Sequence, residues 1–353
     1  MSLPKVRVQV ARREHVSSRY RVVLFALSLC VALLVSGLLV LPLGLSPLDF
    51  YRCFLVGSIA SLPSLRGTLS YLIPIVLCGL SAIVSFRAGL WNIGQDGQFV
   101  VGAIAALGVS VFLLPPLPPP LGQAAALAVG ALAGAVWGLI PGLLRAYTEA
   151  NEAVTTLMMM YIAQVLLQYL CYGPWRSPEY RGFPYTYSVP QSCQLGIAEA
   201  LIIMIAVNAI VYIIVERTKF RITLGVLTEG PKVAVYAGVP VRRSICVTMM
   251  LSGMLAGVAG ALYLLYKMHF LGPTYMYEFG FAGIIAAWLC ELKPLFIAPA
   301  SFLLAMVYSS YDLMQITLHL SASTVQAVEG IVLMSILLVH FLARYRIRIV
   351  MVR

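Results

Sequence analysis

Charge is scarce in this 353-residue chain, at 10% of residues, against about 25% in an ordinary soluble domain. Carboxylates are scarcer still, 13 Asp and Glu beside 24 Lys and Arg, for a net charge of +11. No Gly-Lys dipeptide occurs, so no phosphate-cradling P-loop exists and this chain hydrolyses no nucleotide by that route. Only four histidines are present, His15, His269, His319 and His340, each isolated. Neither a zinc-binding H-E-x-x-H helix nor a histidine-based nucleophile relay can be assembled locally. The seven cysteines contain no C-x-x-C pair and read as small buried hydrophobes. Cys53 and Cys193 fall in loops expected outside the membrane, which leaves a disulfide between them open. No catalytic residue and no metal site is expected.

What fills the chain is apolar. Hydrophobic residues make up 61% of it, and mean hydropathy is +0.93. Too little polar surface remains to cover one soluble core of this size. The fold class that follows is an all-α polytopic membrane helix bundle. The basic residues support that reading rather than a nucleic-acid partner. Six precede position 22, six lie between Arg217 and Arg243, and four follow Phe341, flanking long apolar runs.

A span needs about 20 mostly apolar residues. Ten candidates are present, near 22–43, 68–86, 98–114, 121–143, 154–172, 197–215, 244–266, 279–290, 295–316 and 326–343. The eighth is short and is expected to be broken or re-entrant, which membranes tolerate where backbone lines a polar cavity. With the N-terminus inside, this arrangement sorts nineteen Lys and Arg to the inside and five to the outside. The positive-inside rule therefore places both termini in the cytoplasm. The organisation expected is a basic tail over 1–21, a transmembrane domain over 22–343 with a cytoplasmic loop over 216–243, and a basic tail over 344–353.

Three polar interruptions stand out. Asn92, Gln95, Asp96 and Gln98 are flanked by Gly94 and Gly97, and such glycines permit an unwound turn whose polar groups face a cavity. Asn151 and Thr155 stand at the start of the fifth span. Further along it, Tyr161, Gln164 and Gln168 share one narrow helix face. Lipid would leave such groups unsatisfied, so they are expected to face protein, water or ligand. Together these nine residues form the candidate substrate path. Asp312, deep in the ninth span, keeps an ion-gradient-driven carrier open as the competing class.

The third interruption is the cytoplasmic loop. Pro231 to Ala237 has the propensity for one or two helical turns, ended by Gly238 at a natural C-cap position. Gly253, Gly257 and Ala261 then recur every four residues, leaving one helix face flat enough for close packing.

The run from Glu229 to Val239, followed by Leu251-Ser252-Gly253-Met254-Leu255-Ala256-Gly257-Val258-Ala259-Gly260-Ala261, resembles the coupling region of ATP-binding cassette importer permeases of the nucleoside and simple-sugar family. Asn92-Ile93-Gly94-Gln95-Asp96-Gly97-Gln98 with Gly102-Ala103, Ala150 to Met158, and Gly280-Phe281-Ala282-Gly283-Ile284 are similar to further motifs of the nucleoside branch. The matches run in family order from about Gly89 to Gly330. Met160 departs from the pattern, standing where the family usually has Asn.

This resemblance implies a permease subunit that moves a purine nucleoside, riboflavin or a simple sugar by alternating access. It implies coupling to an ATPase through Glu229, Gly230, Pro231, Lys232, Ala234, Tyr236, Ala237, Gly238, Arg242 and Arg243. The implied partners are a second homologous permease in a heterodimer, a cytoplasmic ATPase that binds ATP and Mg, and an external substrate-binding lipoprotein. No cofactor is expected on this chain, and the implied location is a bacterial cytoplasmic membrane.

Overall fold

The computed structural model describes residues 5–12, 46–113, 118–275, 278–318 and 345–352, with scattered positions between 34 and 41 and between 321 and 338. The chain divides into two compact units, one of residues 1–68 and 306–353, the other of residues 69–305. Eleven helices follow in order among the described residues: α1 (Pro47–Ser58), α2 (Leu62–Phe86), α3 (Gln95–Gly108), α4 (Pro119–Thr148), α5 (Glu152–Tyr172), α6 (Ile197–Arg217), α7 (Phe220–Thr228), α8 (Pro231–Tyr236), α9 (Val241–Tyr263), α10 (Phe279–Leu289) and α11 (Ile297–Thr317). Seven of these helices, with their short 3-10 or π extensions, are long and apolar enough to cross a membrane. The polytopic all-α reading holds. The first and last expected spans, 22–43 and 326–343, lie largely outside the described residues.

In the first unit, α1 falls where a loop was expected. Ser46 caps it by accepting from the Leu48 amide at 3.3 Å, and Pro47 opens the first turn. Its 12 residues are too few for a span, so the search for long apolar runs passes over it. The tails also depart from expectation. Lys5–Arg12 (β1) pairs antiparallel with Tyr345–Val352 (β2), in register from Lys5 opposite Val352 to Arg12 opposite Tyr345. Both segments alternate apolar with basic residues over much of their length, which is the period of a strand.

The second unit is built on glycine. Gly130, Gly134 and Gly138 on α4 meet Gly253, Gly257 and Ala261 on α9 along one seam, which Gly142 continues against Met249. A β-carbon on Gly134 would lie 2.6 Å from the Gly257 Cα, and one on Gly138 would lie 2.6 Å from the Met249 carbonyl oxygen. Gly102 on α3 meets Gly257 as closely, its β-carbon falling 2.5 Å from the Gly257 Cα. Three backbones thus pack against one another with almost no side chain between them. In lipid, where no hydrophobic force draws helices together, that closeness supplies the attraction.

Proline disturbs α2 and the fold repairs it. Pro74 has no amide hydrogen, so the Ser70 carbonyl loses its helical donor. The Tyr266 hydroxyl, buried on the π turn after α9, donates to that oxygen instead.

The short eighth span is α10, 11 residues long, about 17 Å at 1.5 Å per residue and roughly half the hydrocarbon core. The chain reaches it through irregular backbone that is satisfied within the protein. Thr186 donates to the Leu271 carbonyl at 3.0 Å, Val189 to His269 at 2.7 Å, and Leu271 to the Thr186 hydroxyl at 2.9 Å. Non-helical backbone at membrane depth persists only under such cover.

Gly257→Leu should break the seam and destabilise the purified full chain by about 1–3 kcal/mol or more. Gly225→Ala on α7, where a β-carbon meets nothing within 4 Å, should leave the melting temperature in detergent unchanged. Equal melting of both variants and wild type would refute the seam.

Candidate functional site

The first candidate segment joins α2 to α3. Asn92, Gln95, Asp96 and Gln98 are all buried to 1% exposure or less, so the turn does not open onto a cavity in this structure. Asn92 and Gln98 bond to each other reciprocally. The Asn92 amide donates to Gln98 Oε1 at 2.9 Å, and the Gln98 amide donates to Asn92 Oδ1 at 3.1 Å. Asn92 also donates to the Ser252 hydroxyl at 2.8 Å, and Ser252 pairs with Ser81 at 2.9 Å. The chain of bonds ties α3, α9 and α2 together.

Gln95 reaches into α2. Oriented by its surroundings, its amide donates to the Cys78 carbonyl at 3.0 Å and accepts from the Ala82 amide at 3.1 Å, the two ends of one helical step. Asp96 caps α10, with Oδ1 accepting from the Gly280 amide at 2.7 Å. A carboxylate at a helix N-terminus meets both the free amides and the positive end of the dipole. The same contact explains Gly280, since a β-carbon there would sit 2.8 Å from Asp96 Oδ2. Gly283 likewise admits α2, its β-carbon falling 2.6 Å from the Gly79 amide nitrogen.

The glycines of the turn therefore serve packing, not unwinding. A β-carbon on Gly97 would lie 2.6 Å from the Met160 Cα, and one on Gly94 would strike the Thr156 carbonyl. Buried Met160 is the close neighbour that this approach requires. The α5 N-terminus closes over the turn from the other side. Thr156 Oγ1 accepts from the Ile93 amide at 3.2 Å, and Glu152 accepts from the Trp91 amide at 3.3 Å while pairing with Arg145 at 3.3 Å. Asn151 is the α5 N-cap, accepting from Ala153 and Val154 at 3.0 and 3.3 Å. Thr155 is partly exposed and bonds back to the Asn151 carbonyl at 3.1 Å.

Tyr161, Gln164 and Gln168 are not brought together with that turn. On α5 the buried stripe is Thr156, Met160, Ala163, Leu167 and Cys171, and the three polar residues run along its flank. Tyr161 is 50% exposed and the glutamines are partly exposed. Among the described residues none of the three makes a hydrogen bond. Asp312 belongs to α11, and its side chain lies outside the described residues. Cys53, in α1, and Cys193 are both free and buried, so the disulfide is absent.

The loop over 216–243 holds the expected helix and one more. Besides α8, the chain forms α7, whose Thr228 hydroxyl donates to the Arg87 carbonyl at 2.7 Å. Gly238 terminates α8 with φ +73°. The Val239 amide reaches the Ala234 carbonyl at 2.9 Å and the Gly238 amide reaches Val235 at 3.0 Å, the paired bonds of a left-handed glycine cap. Ala234 is buried beneath the helix, while Lys232, Val233, Val235 and Tyr236 stand outward, Tyr236 at 93% exposure. Glu229 and Ala237 are exposed, and Gly230 turns the chain into α8 with φ +115°. Arg242 and Arg243 open α9 and line a cleft of about 770 Å³ beside α8, with the Arg242 guanidinium 5.2 Å from the Tyr147 ring.

Residues 64–339 match the family model described as branched-chain amino acid transport system / permease component. The chain belongs to this permease family. The permease is similar to the glucose ABC transporter permease protein TsgB13 of Haloferax volcanii, 24% identical over 92% of this chain and 89% of that one. It is also similar to the nucleoside ABC transporter permease protein NupB of Lactococcus lactis, 26% identical over 78% of this chain and 79% of that one. The guanosine ABC transporter permease protein NupP of Bacillus subtilis is 27% identical over 67% and 70%. Among solved structures, PsaBC from Streptococcus pneumoniae in complex with Fab aligns at a TM-score of 0.43 and 12% identity, over 82% of this chain and 94% of that one.

The Asn92–Gln98 pair gives a direct check on its structural role. Replacing either amide by Leu leaves its partner buried and unsatisfied, at about 1–3 kcal/mol. The double variant Asn92→Leu/Gln98→Leu should cost less than the sum of the two singles, read from thermal unfolding across the cycle. Additive costs would show that the two side chains act independently.

Proposed function

We propose that the permease imports a purine nucleoside or a related heterocycle, by alternating access driven by an ATPase on a separate chain. The observation that carries the coupling is α8, a six-residue helix held at the protein surface with Tyr236 almost fully exposed. An isolated helix of this length is not stable in water. Its cap and the buried Ala234 hold it in place, and its outward apolar residues suit a docking partner. Glu229, Lys232 and Tyr236 are the residues offered to that partner, with Gly230, Pro231, Ala237 and Gly238 shaping the helix and Arg242 and Arg243 flanking it.

For substrate, similarity to two permeases named for nucleoside and guanosine supports a nucleoside. The second reading is a simple sugar, favoured by the glucose permease that aligns over 92% of this chain. Riboflavin rests on the sequence resemblance alone. Tyr161, Gln164 and Gln168 are the proposed substrate-facing residues of α5, because they are polar, partly exposed and without hydrogen bonds among the described residues. A phenol flanked by two carboxamides suits a heterocycle that offers a ring face and amide-like edges. Given their burial, Asn92, Gln95, Asp96 and Gln98, and likewise the cap residues Asn151 and Thr155, enter this proposal as supports of the path. The assembly proposed is a heterodimer with a second homologous permease, two ATPase subunits that bind ATP and Mg, and an external binding lipoprotein. The proposed setting is a bacterial cytoplasmic membrane with both termini inside.

Uptake by the reconstituted assembly across guanosine, adenosine, riboflavin, ribose and glucose tests the reading. ATP-dependent uptake of a nucleoside that survives a protonophore at constant ATP is the expected result. Collapse under the protonophore would favour the ion-driven class. In the same assembly, Tyr236→Ala should leave the permease folded while weakening ATPase association by about 2 kcal/mol, roughly thirtyfold. Undiminished copurification and uptake would reject α8 as the docking element.

Single cysteines from Tyr161→Cys, Gln164→Cys and Gln168→Cys, in a background without native cysteines, should react with a water-soluble thiol reagent and be protected by the transported nucleoside. Ile162→Cys and Leu166→Cys should be less reactive. The reverse pattern would show that α5 presents a different face to the path.

A further inference from the structure

Among the described residues, the coupling loop, the end of α2, the end of α6 and the turn after α10 meet at Arg87. Its carbonyl accepts from Thr228 at the end of α7 at 2.7 Å. Its guanidinium pairs with Glu216 near the end of α6 through Nη2, and through Nε it donates to the Leu292 carbonyl at 2.7 Å. Glu216 in turn holds Arg221 of α7 at 3.7 Å. The pair is mostly shielded, with side-chain exposures of 18% and 19%.

The turn that Arg87 holds is strained. Glu291 and Leu292 are consecutive non-glycine residues in the left-handed region, with φ of +53° and +59°. L side chains are costly there, and such conformations persist where surrounding contacts over-determine them. The Arg87 bond to the Leu292 carbonyl is such a contact. Directly before this turn lies α10, which the Asp96 cap and the Gly79–Gly283 approach fasten to α3 and α2. Phe86, Trp91 and Trp288 pack beside it, with ring centroids 5.2 to 6.2 Å apart.

We propose that Arg87 is the positioning residue that carries the movement of the coupling loop to the half-spanning helix α10, by joining α7 and Glu216 to the strained Glu291–Leu292 turn. The inference rests on the ATPase-coupled reading above. A guanidinium fits this position because its planar fork presents donors to two different partners at once, which an ammonium on a flexible stem does not reproduce. Displacing α7 pulls on the Arg87 backbone, and displacing the end of α6 pulls on its side chain. Either motion reaches the Leu292 carbonyl, where a strained turn can relax.

The test uses the full assembly in proteoliposomes, with ATP hydrolysis and uptake of the transported substrate measured together. In Arg87→Gln, ATPase copurification and hydrolysis should persist while substrate moved per ATP falls roughly tenfold, within the usual range of coupling free energies. Arg87→Lys, the milder variant should Arg87→Gln fold poorly, should fall partway. The charge swap Arg87→Glu/Glu216→Arg offers the ion pair again but no donor to Leu292, so it should regain thermal stability without regaining coupling. A merely structural role predicts that stability and coupling recover together, and that outcome overturns the proposal. So does wild-type uptake per ATP in both single variants. Loss of ATPase copurification in Arg87→Gln also overturns it, because Arg87 would then belong to the docking surface. Failure of the ATPase reading itself shows separately, as collapse of wild-type uptake under a protonophore at constant ATP.

Discussion

The second unit depends on the approach of three backbones at Gly257. α4 reaches it through Gly130 and Gly134, and α3 reaches it through Gly102. Because lipid solvates apolar side chains as well as a neighbouring helix does, helix association here comes from dispersion at close range, and glycine gives the closest range. The seam fixes the depth and rotation of α9, and with it Ser252. Only then do Ser252, Ser81, Asn92 and Gln98 fall within hydrogen-bond distance of one another. The polar network follows from the glycine seam rather than creating it.

Buried polar groups in an oily bundle invite a functional reading, and here several of them answer a local defect. Pro74 orphans the Ser70 carbonyl, and Tyr266 satisfies it. α10 begins inside the bundle with free amides, and Asp96 accepts from one of them. Gln95 spans a helical step of α2. Each group sits where an unsatisfied backbone atom would otherwise be costly. Tyr161, Gln164 and Gln168 on the flank of α5, and the outward residues of α8, make no such repair among the described residues.

Much of the fold was legible in the sequence because membrane spans announce themselves by length and apolarity. The short eighth span and the helix before Gly238 were legible for the same kind of local reason, too few apolar residues in one case and a capping glycine in the other. The partner seam was not. Gly130, Gly134, Gly138 and Gly142 are as regular as Gly253, Gly257 and Ala261, but spacing alone does not say which helices meet. The Asn92–Gln98 turn was misread because glycine permits both an open turn and a close approach, and the carbonyl of Thr156 and the backbone of Met160 decide between them. α1 and the paired tails escaped because neither meets the length of a span. Arg87 drew no notice as a single charge in a short loop. Its partners Glu216, Thr228 and Leu292 are between 129 and 205 residues away.

A rigid seam and a strained turn in one unit give a physical basis for directed motion. Close-packed backbones do not deform continuously, so on the proposed coupling movement entering from the loop over 216–243 would not dissipate within α3, α4 and α9. It would emerge where conformations are costly. α10 meets that condition, being a short helix with irregular backbone at its N-terminus and two left-handed residues after its C-terminus. A full-length tenth helix would have packed along its whole side and resisted such displacement. Breaking the span into an extended segment and a half-helix removes that resistance, while Thr186 and Asp96 satisfy backbone groups that the break exposes. The loop carrying Tyr236 is tied through Arg87 to the turn that follows this half-helix, so on the proposed coupling the break in the eighth span is where the bundle would yield.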